Sequence, residues 1–330
     1  MSAGARIGVL GATGALGSEV LAALAASNLR VAKIVPIASD RSLGSDIEFQ
    51  GEIYPVETEI PPLRGLDLVF CCAPPESSLD LVREALKSAV PCIDCSGALL
   101  VSEDVPVRVA ALPAAVEGAP AVVTPAGPAL PWALVLEPLH RVAGLRRVVG
   151  TVLDAASVAG RTGIEALSMD SLALFSQTDP PTRSADERPI AFDCIPAVGA
   201  VEEGGSTARE SELAVTLRRL LGDEFAVAAS VVQVPAFVGQ ASLLTIETER
   251  PLDPKAAEDL LSQAPRVELW DVDLKGPSLR AAAGRDVVIV GRVRADPSVT
   301  NGLQLWAVTD LLRLAAANAV ELAAARLQLH

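Results

Sequence analysis

The sequence predicts an α/β protein in two parts, a Rossmann-like doubly wound parallel sheet domain followed by a mixed α+β domain. Three observations predict it: a glycine-rich turn joining a first apolar strand to an apolar helix, strands and helices alternating over residues 1–125, and longer strands beyond them. Residues 6–10 read as a buried strand, 11–17 as the glycine turn and 18–27 as a helix, which is the opening of a βαβ unit. Residues 31–37 supply the next strand, 66–72 another, 77–88 a helix with apolar spacing and 91–94 a short strand. Such alternation argues for parallel strands with helices on both faces. Further on, strands over 145–155, 226–234 and 242–247 and helices over 163–177 and 210–221 predict the mixed domain. Residues 178–187, dense in Pro, Asp, Thr and Arg, read as an exposed loop. The Ala- and Leu-rich stretch 303–329 predicts a long helix returning to the first domain. The expected domains are therefore 1–125 with 305–330, and 126–304.

Bulk properties narrow the function classes. A chain of 330 residues suits two domains, and 50% apolar with 21% charged residues is the composition of a folded globule. A formal charge of −14 without a basic stripe argues against a nucleic-acid partner. The longest apolar stretch, 121–139, contains four prolines and Glu137, which argues against a membrane span. The start shows no basic, apolar and small-residue succession of a signal peptide, so the cytoplasm is the expected location. Cys71, Cys72, Cys92, Cys95 and Cys194 are irregularly spaced, which suits reduced, packed thiols. Cys92 and Cys95 form a C-x-x-C with no second pair or nearby histidine, so no metal site is expected.

The run Gly11-Ala12-Thr13-Gly14-Ala15-Leu16-Gly17 lies where a dinucleotide loop should lie, after the first strand and opening the first helix. Glycines let the backbone turn tightly and approach a pyrophosphate, which then sits on the free N–H groups of the helix. Glycines at such a turn also serve close packing, so the run has a second reading. The second strand ends in Ala38-Ser39-Asp40-Arg41-Ser42, where two hydroxyls and a guanidinium flank the acid. Arg41 suits a 2′-phosphate and favours NADP over NAD, although Asp40 could instead pair with it or reach the ribose. The expected cofactor contacts are Gly11, Thr13, Gly14, Ala15, Leu16, Ser39, Arg41 and Ser42.

These two runs, continuing to Leu43-Gly44, resemble the G-A-T-G-A-V-G and A-S-x-R-S-x-G pair of the aspartate-semialdehyde dehydrogenase family. Further matches follow in family order: Asp104-Val105-Pro106, Leu136-Glu137-Pro138-Leu139, Pro189 through Pro196, Gly284-Arg285-Asp286, Gly291-Arg292-Val293-Arg294 and Trp306 through Asp310. The resemblance spans nearly the whole chain. It implies a Rossmann-like NADP-binding domain, a second domain that forms a homodimer, a small-molecule site in the interdomain cleft and a place in amino-acid biosynthesis.

The family's cysteine thiolate attacks the semialdehyde, hydride passes to NADP, and phosphate displaces the acyl group. Its N-P-N-C run corresponds here to Thr124-Pro125-Ala126-Gly127, which leaves Gly127 at the nucleophile position flanked by inert Ala126 and Pro128. Asp154 takes the position of the family's glutamine. Gln233 stands for the substrate-binding arginine, and Gln240 for the catalytic histidine. Neither amide can pair ionically with a carboxylate or exchange protons near neutral pH. The phosphate-side arginine falls at Leu100, the helix lysine near Ser211, and the D-N-L-L motif reads Asp310-Leu311-Leu312. The pattern is similar to that of the bacterial paralogue lacking catalytic residues. It implies an impaired pseudoenzyme that keeps NADP binding and the dimer, the alternative being an active NADP-dependent semialdehyde dehydrogenase or oxidoreductase with altered residues. Cys71 or Cys72, at the sheet's carboxyl edge, could supply a relocated thiol, but only His140 and the terminal His330 could partner it. Asp154 is the other candidate, as a general base.

Overall fold

The computed structural model describes residues 4–113, 119–125, 127–181 and 188–328. The chain forms two compact units, Met1–Ala126 with Ala315–His330, and Gly127–Leu314.

The first unit opens with β1 (Ala5–Leu10), α1 (Ala15–Ala26) and β2 (Val31–Ile37). A hairpin of β3 (Asp46–Phe49) and β4 (Glu52–Pro55) follows, then β5 (Leu68–Cys71), α2 (Pro75–Lys87), β6 (Cys92–Asp94) and β7 (Ala121–Val123). The expected Rossmann-like sheet is present, with all five strands parallel in the order β2-β1-β5-β6-β7. Chain order reverses direction at β1, so the glycine turn leaves the sheet at the switch point, where doubly wound folds collect their ligands. Ile7, Val9, Leu68, Phe70 and Ile93 meet Val20, Leu21 and Leu24 of α1 in one core, joined by Ala316, Ala319, Val320 and Ala323 from the last helix. That helix is fastened by Asn318, whose Oδ1 accepts the Ala110 N–H at 2.8 Å while its amide donates to Thr124 Oγ1 at 2.7 Å.

The second unit contains α3 (Ala129–Ala143), β8 (Leu145–Asp154), α4 (Gly160–Phe175), α5 (Ala208–Leu221), β9 (Ala226–Gln233) and β10 (Gln240–Thr248). It continues through α6 (Pro254–Ser262), β11 (Val267–Leu269), α7 (Leu279–Ala282), β12 (Val288–Ala295) and β13 (Gly302–Thr309), and α8 (Leu311–Gln328) leads back to the first unit. Six strands form a mixed sheet in the order β11-β12-β13-β10-β8-β9. On one face the fully buried Trp132 of α3 lies against Gly150, where an added Cβ would come within 2.3 Å of the ring. The Trp132 indole N–H donates to Ser242 Oγ at 2.8 Å, which satisfies the one polar atom of that side chain. The other face is covered near Ala241, Ile289 and Val308 by Trp270, Leu279 and Ala282. Elsewhere on it Val149, Thr151 and Leu243 stay partly exposed in inner strands.

The long helix expected over 303–329 is overturned in its first part. Leu303, Leu305 and Ala307 are buried in alternation on β13, which pairs with both β10 and β12, and the helix begins only at Leu311. The second unit runs to Leu314. His140 sits inside α3, where its Nδ1 accepts the Leu145 N–H at 3.0 Å and its ring tilts against Phe225. Of the expected loop, 178–181 is irregular and 182–187 lie outside the described residues. Among the described residues no helix is long and apolar enough to cross a membrane.

Candidate functional site

In the first unit, Gly11 has φ +77° and Gly14 is the N-cap of α1, its N–H donating to Gly11 O at 2.9 Å. A Cβ at Gly11 would stand 2.8 Å from the Ala73 amide, and one at Gly17 2.1 Å from Gly11 O. Both glycines are thus required by packing alone, and the same tightness brings the backbone to the start of α1. Ala15 and Leu16 open that helix, whose first-turn N–H groups lack intrahelical acceptors and whose first turn carries no acid. Thr13 Oγ1 lies 2.9 Å from Ser42 Oγ, so the turn is tied to the segment after β2. There Ser39 caps the 3₁₀ turn Asp40–Ser42, and Ser39, Asp40 and Arg41 are exposed. The residues present fit a dinucleotide: a close backbone, a helix N-terminus and an exposed guanidinium beside hydroxyls.

In the second unit, four residues share one row across the sheet. Gln240 pairs in register with Thr309 of β13 on one side and with Asp154 on the other, and Asp154 pairs with Gln233 of β9. Residues in one row point to one face of a sheet, so the family positions 154, 233 and 240 are brought together. Asp154 and Gln240 are both buried, and the Gln240 amide donates to Asp154 Oδ1 at 2.7 Å. Gln233 turns to a cavity of about 630 Å³ lined also by Thr162, Arg188 and Ile195.

Sequence reasoning missed the residue that organises this row. Arg209, in the first turn of α5, places Nη2 2.9 Å from Asp154 Oδ2. The two form an ion pair. Arg209 also faces Gly127, whose added Cβ would lie 3.4 Å from Nη2, with φ +57° at that glycine. Burial pushes the Asp154 carboxyl above its ordinary range, while the Arg209 charge and the Gln240 amide pull the other way. The signal for Arg209 was present: Thr207-x-x-Glu210 is a capping box. Its Thr207 Oγ1 accepts the Glu210 N–H and its Glu210 Oε2 accepts the Thr207 N–H. A helix starting there turns Arg209 to the side of buried Leu213, Thr216 and Leu217, whereas Ser211 donates to Glu202 at 2.6 Å.

The remaining candidates have structural roles. Leu100 follows a turn held by buried Asp94, whose Oδ2 accepts the Leu99 N–H at 2.8 Å. Asp310 Oδ2 accepts the Gly284 N–H at 2.9 Å just before α8 begins, which gives both matched runs a structural use. Cys71 is buried with its Sγ 3.4 Å from Cys92 Sγ, and that contact together with burial raises its pKa well above the ordinary thiol value. Cys72 is only half-buried, and its contact with Cys95, with burial, raises the Cys95 thiol likewise. Raised thiols are poor nucleophiles.

Comparisons with known proteins agree with one another. Residues 6–118 match the semialdehyde dehydrogenase NAD binding domain and residues 136–314 the semialdehyde dehydrogenase dimerisation domain. An aspartate-semialdehyde dehydrogenase of Aquifex aeolicus is 32% identical over 97% of this chain and 97% of its own. The crystal structure of aspartate semialdehyde dehydrogenase II of Vibrio cholerae complexed with ASA is 28% identical with a TM-score of 0.93, covering 99% of both chains. That of the Candida albicans enzyme with NADP is 16% identical with a TM-score of 0.73, covering 99% of both, a likeness of fold alone.

Proposed function

The chain belongs to the aspartate-semialdehyde dehydrogenase family, and we propose that it is a member that binds NADP and dimerises without oxidising aspartate semialdehyde. The observation that carries this reading is the row at the end of β8. Gly127 offers no nucleophile, Gln240 is committed to Asp154, and the guanidinium of Arg209 is paired with that same carboxylate. Covalent catalysis has no substitute for a missing nucleophile, and the missing parts act as a unit.

Cofactor binding is supported by the glycine turn at the switch point and by the match to the NAD binding domain. Arg41, exposed beside Ser39 and Ser42, is the residue that selects the 2′-phosphate. A homodimer is supported by the dimerisation-domain match and by the partly bare sheet face, where Leu243 is 40% exposed on an inner strand. The cytoplasm is the location that goes with this reading. The test is steady-state turnover with NADP, aspartate semialdehyde and phosphate, with calorimetry on the same preparation to establish that NADP binds. One observation favours a second reading, an NADP-dependent oxidoreductase: the raised pKa of Asp154 suits a proton acceptor. Reduction of NADP by other aldehydes, abolished in Asp154→Asn, would support it.

A further inference from the structure

Four cysteines lie on or just past the neighbouring strands β5 and β6, and strand geometry decides which two can be joined. A disulfide needs Cα atoms about 4.4–6.8 Å apart and side chains that face each other. Cys92 and Cys95, the C-x-x-C, stand three residues apart along an extended chain, so they point to opposite faces with Cα atoms about 10 Å apart. Cys71 and Cys92 share a face, and their Sγ atoms meet at 3.4 Å. Cys71 pairs with Asp94, however, which puts Cys92 two residues out of register and the Cα atoms about 8 Å apart. Cys72 and Cys95 are the next pair in register, and the Cys95 N–H, donating to Cys71 O at 3.0 Å, carries the ladder up to them. Adjacent strands lie about 5 Å apart, within the required span. Both side chains turn to the core beneath α1, Cys95 buried in it and Cys72 packed at its edge, with the two thiols in contact. Each is also the first residue past its strand, where the backbone can adjust. We propose that Cys72 and Cys95 are a reversible disulfide pair that acts on the dinucleotide turn.

The oxidant is a small-molecule disulfide, and Cys72, half-buried, is the thiol it reaches first. The Cys72 thiolate attacks one sulfur of that disulfide, so a mixed disulfide forms as the oxidant's S–S bond breaks and one small thiol leaves. The Cys95 thiolate, its proton given to solvent, then attacks the Cys72 sulfur and displaces the second small thiol. Two protein thiols are oxidised to one disulfide, and the small disulfide is reduced to two thiols. Contact with Cys72 and burial raise the Cys95 thiol, so closure quickens as pH rises. The link to the turn is direct. The Cys72 N–H donates to Leu10 O at 2.9 Å, and a Cβ on Gly11 would stand 2.8 Å from the Cys72 carbonyl carbon. Bond formation draws the sulfurs from contact to about 2.05 Å, and Gly11 is packed too closely on Cys72 to stay behind when it moves. A displaced Gly11 takes the backbone of the turn out of place for a pyrophosphate.

The effect on the turn rests on the reading that it holds NADP; the disulfide itself does not, and the two are measured separately. The full chain with Cys194→Ser, fully reduced and freed of reductant, is incubated with glutathione disulfide at pH ~8, and unreduced peptides are mapped by mass spectrometry. A peptide joining Cys72 to Cys95, lighter by two hydrogen atoms than its reduced parts, is expected, and dithiothreitol is expected to reverse it. Cys95→Ser is expected to stop at glutathione on Cys72, and Cys72→Ser to form no internal link. Absence of the Cys72–Cys95 link, or a link between Cys71 and Cys92 in its place, would overturn the proposal. Calorimetry on the same preparations is expected to show NADP bound about tenfold more weakly after oxidation, the worth of one hydrogen bond to a charged group, with affinity restored by dithiothreitol and unchanged in treated Cys95→Ser. Amide exchange of residues 10–17 reads the turn without cofactor and is expected to quicken in the linked protein. A linked protein with unaltered exchange there would overturn the action on the turn, whereas altered exchange with no NADP binding in either form would uphold it and count against the cofactor reading alone.

Discussion

Replacing Gly127 by Cys puts a thiol back at the family's nucleophile position, and the structure sets both its cost and its reactivity. The backbone there has φ +57°, a left-handed conformation that costs a non-glycine residue about 1–2 kcal/mol. The new Cβ meets Arg209 Nη2 at 3.4 Å, which is ordinary contact, so no clash adds to the strain. Gly127→Cys should therefore lose only about 1–2 kcal/mol in urea denaturation. From the sequence, the carboxylate of Asp154 is expected to raise the pKa of such a thiol. The structure reverses that sign, because the group in front of residue 127 is the Arg209 guanidinium and Asp154 is already paired with it. A cation within about 4–6 Å lowers a thiol pKa, here from about 8.5 by about one unit or more. At pH ~7.5 a drop of one unit takes the thiolate from about a tenth to about half of the population, hence roughly fivefold faster alkylation. The assay is the pH dependence of alkylation in a Cys194→Ser background, since Cys194 is the exposed native thiol. Semialdehyde turnover should stay absent, because Gln240 exchanges no proton and Gln233 holds no carboxylate. A thiol pKa at or above 8.5 would refute the placement of Arg209, and turnover in this single variant would refute the claim that the missing parts act together.

Three further outcomes follow from other residues. Arg41→Ala should weaken NADP more than NAD in calorimetry, and equal losses would remove Arg41 from the 2′-phosphate. The wild type should scatter light as a dimer at micromolar concentration, while Leu243→Glu, which charges the bare centre of the sheet face, should shift it to monomer; a monomeric wild type would contradict the dimer. Asp154 has a folded pKa raised above its unfolded value, so its contribution to stability is present below the unfolded pKa and is lost as pH rises through the folded one. Asp154→Asn lacks that titration, and its stability relative to wild type should rise between pH ~4 and ~7, measured by denaturant unfolding at each pH. A constant or falling difference would show that the carboxylate is better compensated than its burial implies.

Much of the first unit was legible because its signals are local. The strand over 31–37 was read at its observed bounds, and the glycine turn was read from spacing alone. The C-terminal stretch misled because Ala and Leu richness was weighed above alternation. Residues 302–309 carry the period of two that a strand needs, and only then does the helix begin. Short elements such as β11 and α7 have too few residues to show a period. At the site, positions 127, 154, 233 and 240 were found by resemblance, but Arg209 was not. Its role comes from α5 meeting the strand ends far away in sequence, and only the capping box hinted at which way it faces. The bareness of Leu243 is likewise tertiary, since an apolar residue in a strand reads as core until the sheet shows which face is covered.

The central claim is most directly tested by following reduced cofactor when the purified protein, at a concentration where calorimetry shows NADP bound, is given aspartate semialdehyde and phosphate. The account predicts no phosphate-dependent reduction of NADP above the enzyme-free rate, while a matched active family member reduces it under the same conditions. Sustained, phosphate-dependent turnover by the wild-type chain would contradict it.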